Sequence, residues 1–144
     1  MIDYKFTIVI VIAYFLGNIS PSTIQAKKRG LDIKSEGSGN TFRVLGAKPA
    51  VITLVIDIFK GVAAVFIGLY FSTATASMLC GLFVFLGHVF PIIYKFKGGK
   101  GIATAFGATM AIDWRIGLIL LAIVAIMFIF TKTVSVSALV AVIA

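Results

Sequence analysis

Cysteine occurs once in the 144-residue sequence, at Cys80 inside an apolar run, so no intrachain disulfide can form. Histidine also occurs once, at His88, and one thiol with one imidazole cannot make a Cys/His metal cluster. Acidic charge is sparse: five Asp and Glu stand against thirteen Lys and Arg, and charged residues make up only 12% of the chain. The resulting +8 would suit nucleic acid, but the basic residues fall in short segments between apolar runs, and no aromatic-interleaved basic domain exists to hold a strand. Small anions and membrane lipids with anionic headgroups are therefore the expected partners, and no nucleic acid is expected. Walker spacing is absent and no strand precedes the glycine clusters, which leaves nucleotide binding little support. Internal repeats and low-complexity segments are lacking as well.

Apolar surface is what the sequence has in excess. Hydrophobic residues are 60% of the chain and the mean hydropathy is +1.13, against a roughly half-apolar make-up for soluble domains. Apolar runs cover about 6–24, 50–70, 77–94, 101–112, 116–130 and 134–144. The longest approach the roughly 20 residues that cross about 30 Å of hydrocarbon, and a backbone in lipid must satisfy itself, so helices are expected. The fold expectation is all-α: a polytopic transmembrane helical bundle with five spans plus a partial sixth, forming a single domain over 1–144. The first run lacks a strongly basic leader and is followed by Lys27-Lys28-Arg29, which reads as a retained span rather than a cleaved signal. The last run covers little more than half the hydrocarbon thickness at about 1.5 Å per residue, so the chain is expected to be truncated at its carboxyl end or its final helix only to enter the membrane.

Orientation follows from the basic residues. With the amino terminus outside, Lys27, Lys28, Arg29, Lys34, Arg43, Lys48, Lys95, Lys97, Lys100 and Lys132 all face the cytoplasm, and only Lys5 and Arg115 lie outside. Trp114 then falls at an outer boundary. The run 101–112 is short for a full crossing: it either starts from a glycine turn sunk below the membrane surface or is re-entrant, and a re-entrant segment would flip everything after Asp113.

Three polar patches share one side in this arrangement: Gly37-Ser38-Gly39-Asn40 with Arg43, Lys97-Gly98-Gly99-Lys100-Gly101, and Lys132 with Thr133, Ser135 and Ser137. Glycines allow a backbone to approach a ligand and present its N–H groups, and a following helix start adds partial positive charge, so phosphate is the natural guest. Lys100 offers a mobile point charge and Arg43 a planar fork. Taken singly, these patches also read as an interfacial basic loop, a flexible loop and helix-start hydroxyls; their convergence is what points to a site. Asp57 and Lys60, three residues apart on one helical face, read as a structural ion pair inside the second run. His88 could accept a proton or hydrogen-bond a neighbouring helix.

Gly87-His88-Val89-Phe90-Pro91 followed by Lys95-Phe96-Lys97-Gly98-Gly99-Lys100-Gly101-Ile102-Ala103-Thr104 resembles the second signature of the PlsY family, membrane glycerol-3-phosphate acyltransferases that use acyl phosphate. Residues 32–40 and Thr41-Phe42-Arg43-Val44-Leu45-Gly46 resemble two halves of its first signature, and Asp57-Ile58-Phe59-Lys60-Gly61 its following helix. The resemblance implies seven transmembrane helices in the family fold, cytoplasmic signature loops in the cell membrane, and no cofactor. It implies transfer of a fatty acyl group from acyl phosphate to the sn-1 hydroxyl of glycerol 3-phosphate, giving lysophosphatidic acid for phospholipid synthesis. Lys100, Ser38 and His88 are the catalytic candidates it yields; Gly39, Asn40, Arg43, Gly98, Gly99 and Ser135 would bind substrate phosphate. A short Gly-Ala-Thr-Asn-like stretch of the family pattern is missing between Asn40 and Thr41, Ala138 stands where a second serine is usual, and the family's carboxyl-terminal helices are absent. These departures keep two other readings open: an inactive or truncated paralogue that binds phosphate compounds without turnover, and a small membrane transporter.

Overall fold

The computed structural model describes residues 4–33, 36–71 and 73–131; the expectations for Lys34, Lys132, Thr133, Ser135, Ser137 and the run 134–144 lie outside the described residues. Every regular element among the described residues is helical: α1 (Tyr4–Gly17), α2 (Pro21–Lys27), α3 (Ser38–Leu45), α4 (Ala47–Phe71), α5 (Ala74–Val89), a 3-10 turn (Ile92–Tyr94), α6 (Ile102–Ile112) and α7 (Trp114–Thr131). By length and composition Ala47–Phe71 and Ala74–Tyr94 are able to cross a bilayer, and α1 with α2 form a third, bent candidate.

The apolar run 6–24, expected as one span, is not one straight helix. It breaks at Asn18-Ile19-Ser20, and the axes on either side differ by 42°. Pro21 has no N–H to continue α1 and suits the first position of a new helix, while Ser20 caps that helix by accepting the Thr23 N–H at 3.2 Å. Asn18 stabilises the break from both sides: its amide donates to the Tyr14 carbonyl at 2.8 Å, and its Oδ1 accepts the Ile93 N–H at 3.3 Å.

Side-chain size sorts by position. Phe59, Phe66, Tyr70, Ile119 and Phe130 point outward, whereas the central cluster consists of Val9, Ala13, Ala64, Ala76, Cys80 and Val84. Lipid tails are as apolar as leucine, so helices in a bilayer gain by close approach of small residues rather than by hiding large ones. Gly17 of α1 sits against Gly87 of α5, and Gly61 of α4 against Gly107 and Thr104 of α6; a Cβ added at any of these glycines would strike the opposing backbone. Those two seams hold α1 on α5 and α4 on α6. They bring the break in α1, the middle of α4, the end of α5 and the start of α6 together. Asp113 alone separates α6 from α7, its carboxylate accepting the Arg115 N–H at 2.8 Å.

Candidate active site

A helix break inside an apolar bundle exposes carbonyls that nothing in lipid will satisfy. Here the answer comes from Lys60 of α4. Its Nζ donates to the Gly17 carbonyl at 3.2 Å and the Ile19 carbonyl at 2.8 Å, so the ammonium lies at the partly negative carboxyl end of α1. Asp57 Oδ1 is 2.8 Å away, and both side chains are buried. The same Nζ lies 2.7 Å from His88 Nδ1, and Asp57 Oδ1 is 3.6 Å from that nitrogen. An ammonium only donates, so Nδ1 accepts and the neutral ring carries its hydrogen on Nε2.

His88 Nε2 faces the second glycine loop. A Cβ built on Gly99 would stand 2.5 Å from Nε2 and 2.9 Å from the Glu36 carbonyl oxygen, while one built on Gly98 would collide with the carbonyls of His88 and Val89. The Gly99 N–H donates to the His88 carbonyl at 3.2 Å. These two glycines therefore let the loop lie flat on the end of α5, and the Gly99 N–H is engaged by the His88 carbonyl. Lys95 and Phe96 enter the loop with positive φ, and Gly101 leaves it at φ 73° as the residue before α6.

The first loop reaches the same place. Glu36 is buried, and its main chain is the surface Gly99 rests against. Thr23 Oγ1 lies 3.5 Å from Glu36 Oε1, and the Gly37 N–H lies 3.4 Å from Ser22 Oγ. Gly37, at φ 108°, turns the chain into α3, whose first turn is Ser38-Gly39-Asn40. Helices α3 and α6 thus start two residues after Glu36 and three after Gly99, so two helix amino termini with their partial positive charge lie near one contact. Lys100 is exposed beside it, and Arg43 is exposed on the last turn of α3.

Burial pushes the Glu36 carboxyl up to about 7, against the opposing pull of a Ser20 hydrogen bond and the Lys60 charge. Glu36 and the hydroxyl cluster Ser20, Ser22 and Thr23 were not among the sequence candidates. A usable signal existed: Asn18, Ser20 and Ser22 are polar residues within an apolar run, and polar groups at such depth are functional by default.

Comparison with known proteins bears on this geometry. The model of a family described as Glycerol-3-phosphate acyltransferase matches residues 7–144. A protein of Thermoanaerobacter sp. (strain X514) named Glycerol-3-phosphate acyltransferase is 44% identical over 131 residues, covering 87% of this chain. The chain spans 66% of that relative's length. One of the same name from Bacillus subtilis (strain 168) is 38% identical over 141 residues, covering 92% of this chain and 72% of that protein. Among solved structures, PlsY (YgiH), an integral membrane glycerol 3-phosphate acyltransferase, superposes in its glycerol 3-phosphate form with a TM-score of 0.89 at 30% identity, over 96% of this chain and 72% of that one. Its lysophosphatidic acid form gives 0.88 at 31% identity with the same coverage.

Proposed function

The chain belongs to the glycerol-3-phosphate acyltransferase family, and from that premise we propose that it moves a fatty acyl group from acyl phosphate to the sn-1 hydroxyl of glycerol 3-phosphate. The products are lysophosphatidic acid and inorganic phosphate. The observation that carries this reading is the meeting of the two glycine-containing loops, each opening into a helix amino terminus, within an apolar bundle.

Both substrates bear phosphate and repel each other, so the first task of the site is to hold two anions together; proximity of this kind removes several kcal/mol from a barrier. The amino termini of α3 and α6 favour negative charge, Lys100 supplies a mobile cation and Arg43 a two-pronged one. Ser38, Gly39 and Asn40 lie in the first turn of α3, the position that an anion approaches. Acyl phosphate is already activated, so the substrate hydroxyl attacks its carbonyl directly. The new ester C–O bond forms, the C–O bond to phosphate breaks, and the hydroxyl proton leaves with a phosphate oxygen. His88, with Nδ1 occupied by Lys60, serves this scheme as a held ring against which Gly99 of the second loop packs. The loops face the cytoplasm, as the distribution of basic residues favours, and the chain acts as one domain.

Incubating the protein in lipid with labelled glycerol 3-phosphate and an acyl phosphate should yield labelled lysophosphatidic acid. Binding without product would indicate a non-catalytic relative, and flux across vesicles without chemical change a transporter. Lys100→Ala should lose one charge-assisted contact of about 1.5–3 kcal/mol, roughly a ten- to hundredfold fall in kcat/KM. An unchanged rate would remove Lys100 from the reaction.

A further inference from the structure

Thr104 closes the second signature stretch and has no part in the chemistry proposed above. It is the third residue of α6 and fully buried. Three threonines are buried among the described residues, and one of them differs from the other two. Thr41 donates its hydroxyl to the Gly37 carbonyl at 2.8 Å, and Thr53 accepts the Gln25 amide at 3.0 Å. The Thr104 hydroxyl meets no hydrogen-bond partner among the described residues. A buried hydroxyl left in that condition destabilises the fold that contains it.

Local geometry accounts both for the missing bond and for where the hydroxyl points. A helical threonine ordinarily turns its hydroxyl back onto the carbonyl four residues earlier, as Thr109 of the same helix does to Ala105 at 2.9 Å. For Thr104 that carbonyl belongs to Lys100, which stands before Gly101, and Gly101 is left-handed at φ 73°. The helical row of carbonyls therefore does not extend to it. The Thr104 carbonyl backs onto Gly61 of α4, whereas a helical Cα–Cβ bond tilts toward the helix amino terminus, so the hydroxyl leans away from that seam and toward Gly101. We propose that Thr104 is a substrate-binding residue whose hydroxyl donates to a phosphate oxygen held at the amino terminus of α6. The inference rests on the reading of the loop contact as a site for phosphorylated substrates.

Phosphate suits both features. The partial positive charge at the start of α6 favours an anion, and a hydroxyl bonds more strongly to a charged oxygen than to a neutral one. Because Thr104 is buried, the phosphate comes in along the axis of α6, past Gly101. Rotation of the Lys100–Gly101 peptide is enough to admit it, since glycine passes between left- and right-handed conformations at little cost, and Gly99 keeps its place on His88. Glycerol 3-phosphate and acyl phosphate offer the same kind of oxygen, and measurement on each substrate separates them.

The test compares Thr104→Val, which keeps the shape and removes the hydroxyl, with Thr104→Ser, which keeps the hydroxyl. In lipid, T104V should unfold about 2–6 °C above wild type, since it removes an unsatisfied group and breaks no bond. It should nonetheless weaken a phosphorylated substrate by about ten- to hundredfold, read as equilibrium binding of labelled glycerol 3-phosphate and as the KM for acyl phosphate. T104S should bind like wild type while unfolding at lower temperature, because it loses a buried methyl group. A loss confined to glycerol 3-phosphate assigns the hydroxyl to that phosphate, and a loss confined to acyl phosphate assigns it to the other. Three results overturn the proposal: T104V takes both substrates like wild type, T104V unfolds below wild type or fails to fold, or T104S loses as much binding as T104V. The expected loss of glycerol 3-phosphate binding in a protein that makes no lysophosphatidic acid would leave the role of Thr104 standing and sink the enzymatic reading instead.

Discussion

Gly99→Ala is expected to lower acyl transfer by about a hundredfold. The added methyl carbon would lie 2.5 Å from His88 Nε2, 2.9 Å from the Glu36 carbonyl oxygen and 3.1 Å from its carbonyl carbon. Two of those neighbours are backbone, and the third belongs to a ring held at its other nitrogen by Lys60, so no flexible side chain can swing aside. The loop itself must move, by roughly 1 Å, and a displacement of that size at a reacting centre costs on the order of a hundredfold. Because Gly99 also donates its N–H to the His88 carbonyl, the shift would break the bond that sets the loop on α5. Rates should be measured in lipid beside thermal unfolding of the same variant. A G99A protein that turns over at wild-type rate would show that the close contact of the two loops is irrelevant to catalysis.

The same glycine shows where sequence reasoning stops. That residues 98 and 99 needed close approach was legible from their type; whether the approaching group was a ligand or the protein's own backbone was not, because glycine admits either. The Asp57–Lys60 pairing was legible since three residues on a helix share a face, but the contact from Lys60 to His88 joins residues 28 apart and depends on how α4 and α5 pack. Hydropathy located the apolar helices but not α3, which lies outside every apolar run, and it missed the break at Asn18-Ile19-Ser20, where Ile19 and Ile24 keep the local average high while small polar side chains do the turning. Only the packed bundle reveals that the carbonyls freed there are met from α4. Glu36, within what read as a flexible loop, has no sequence signal of its own; its burial comes from the second loop lying across it.

Lys60→Met should cost about 3–5 kcal/mol of folding stability, the range seen when one partner of a buried ion pair is removed. The thioether nearly matches the length of the lysine stem, so the loss is electrical more than steric. Asp57 would be left buried at 2% exposure without its cation, and the Gly17 and Ile19 carbonyls would lose their donor at the break in α1. Released from Nδ1, the His88 ring could turn over, and the second loop would lose its fixed support. Unfolding in lipid by heat or denaturing detergent should show the drop. Adding Asp57→Asn to K60M removes the orphaned charge but not the orphaned carbonyls, so the double variant should recover part of the loss and not all of it. If K60M unfolds like wild type, the ammonium does not hold the broken helix together. If the double variant is no better than the single, the cost lies in the carbonyls and the Asp57 pairing contributes little.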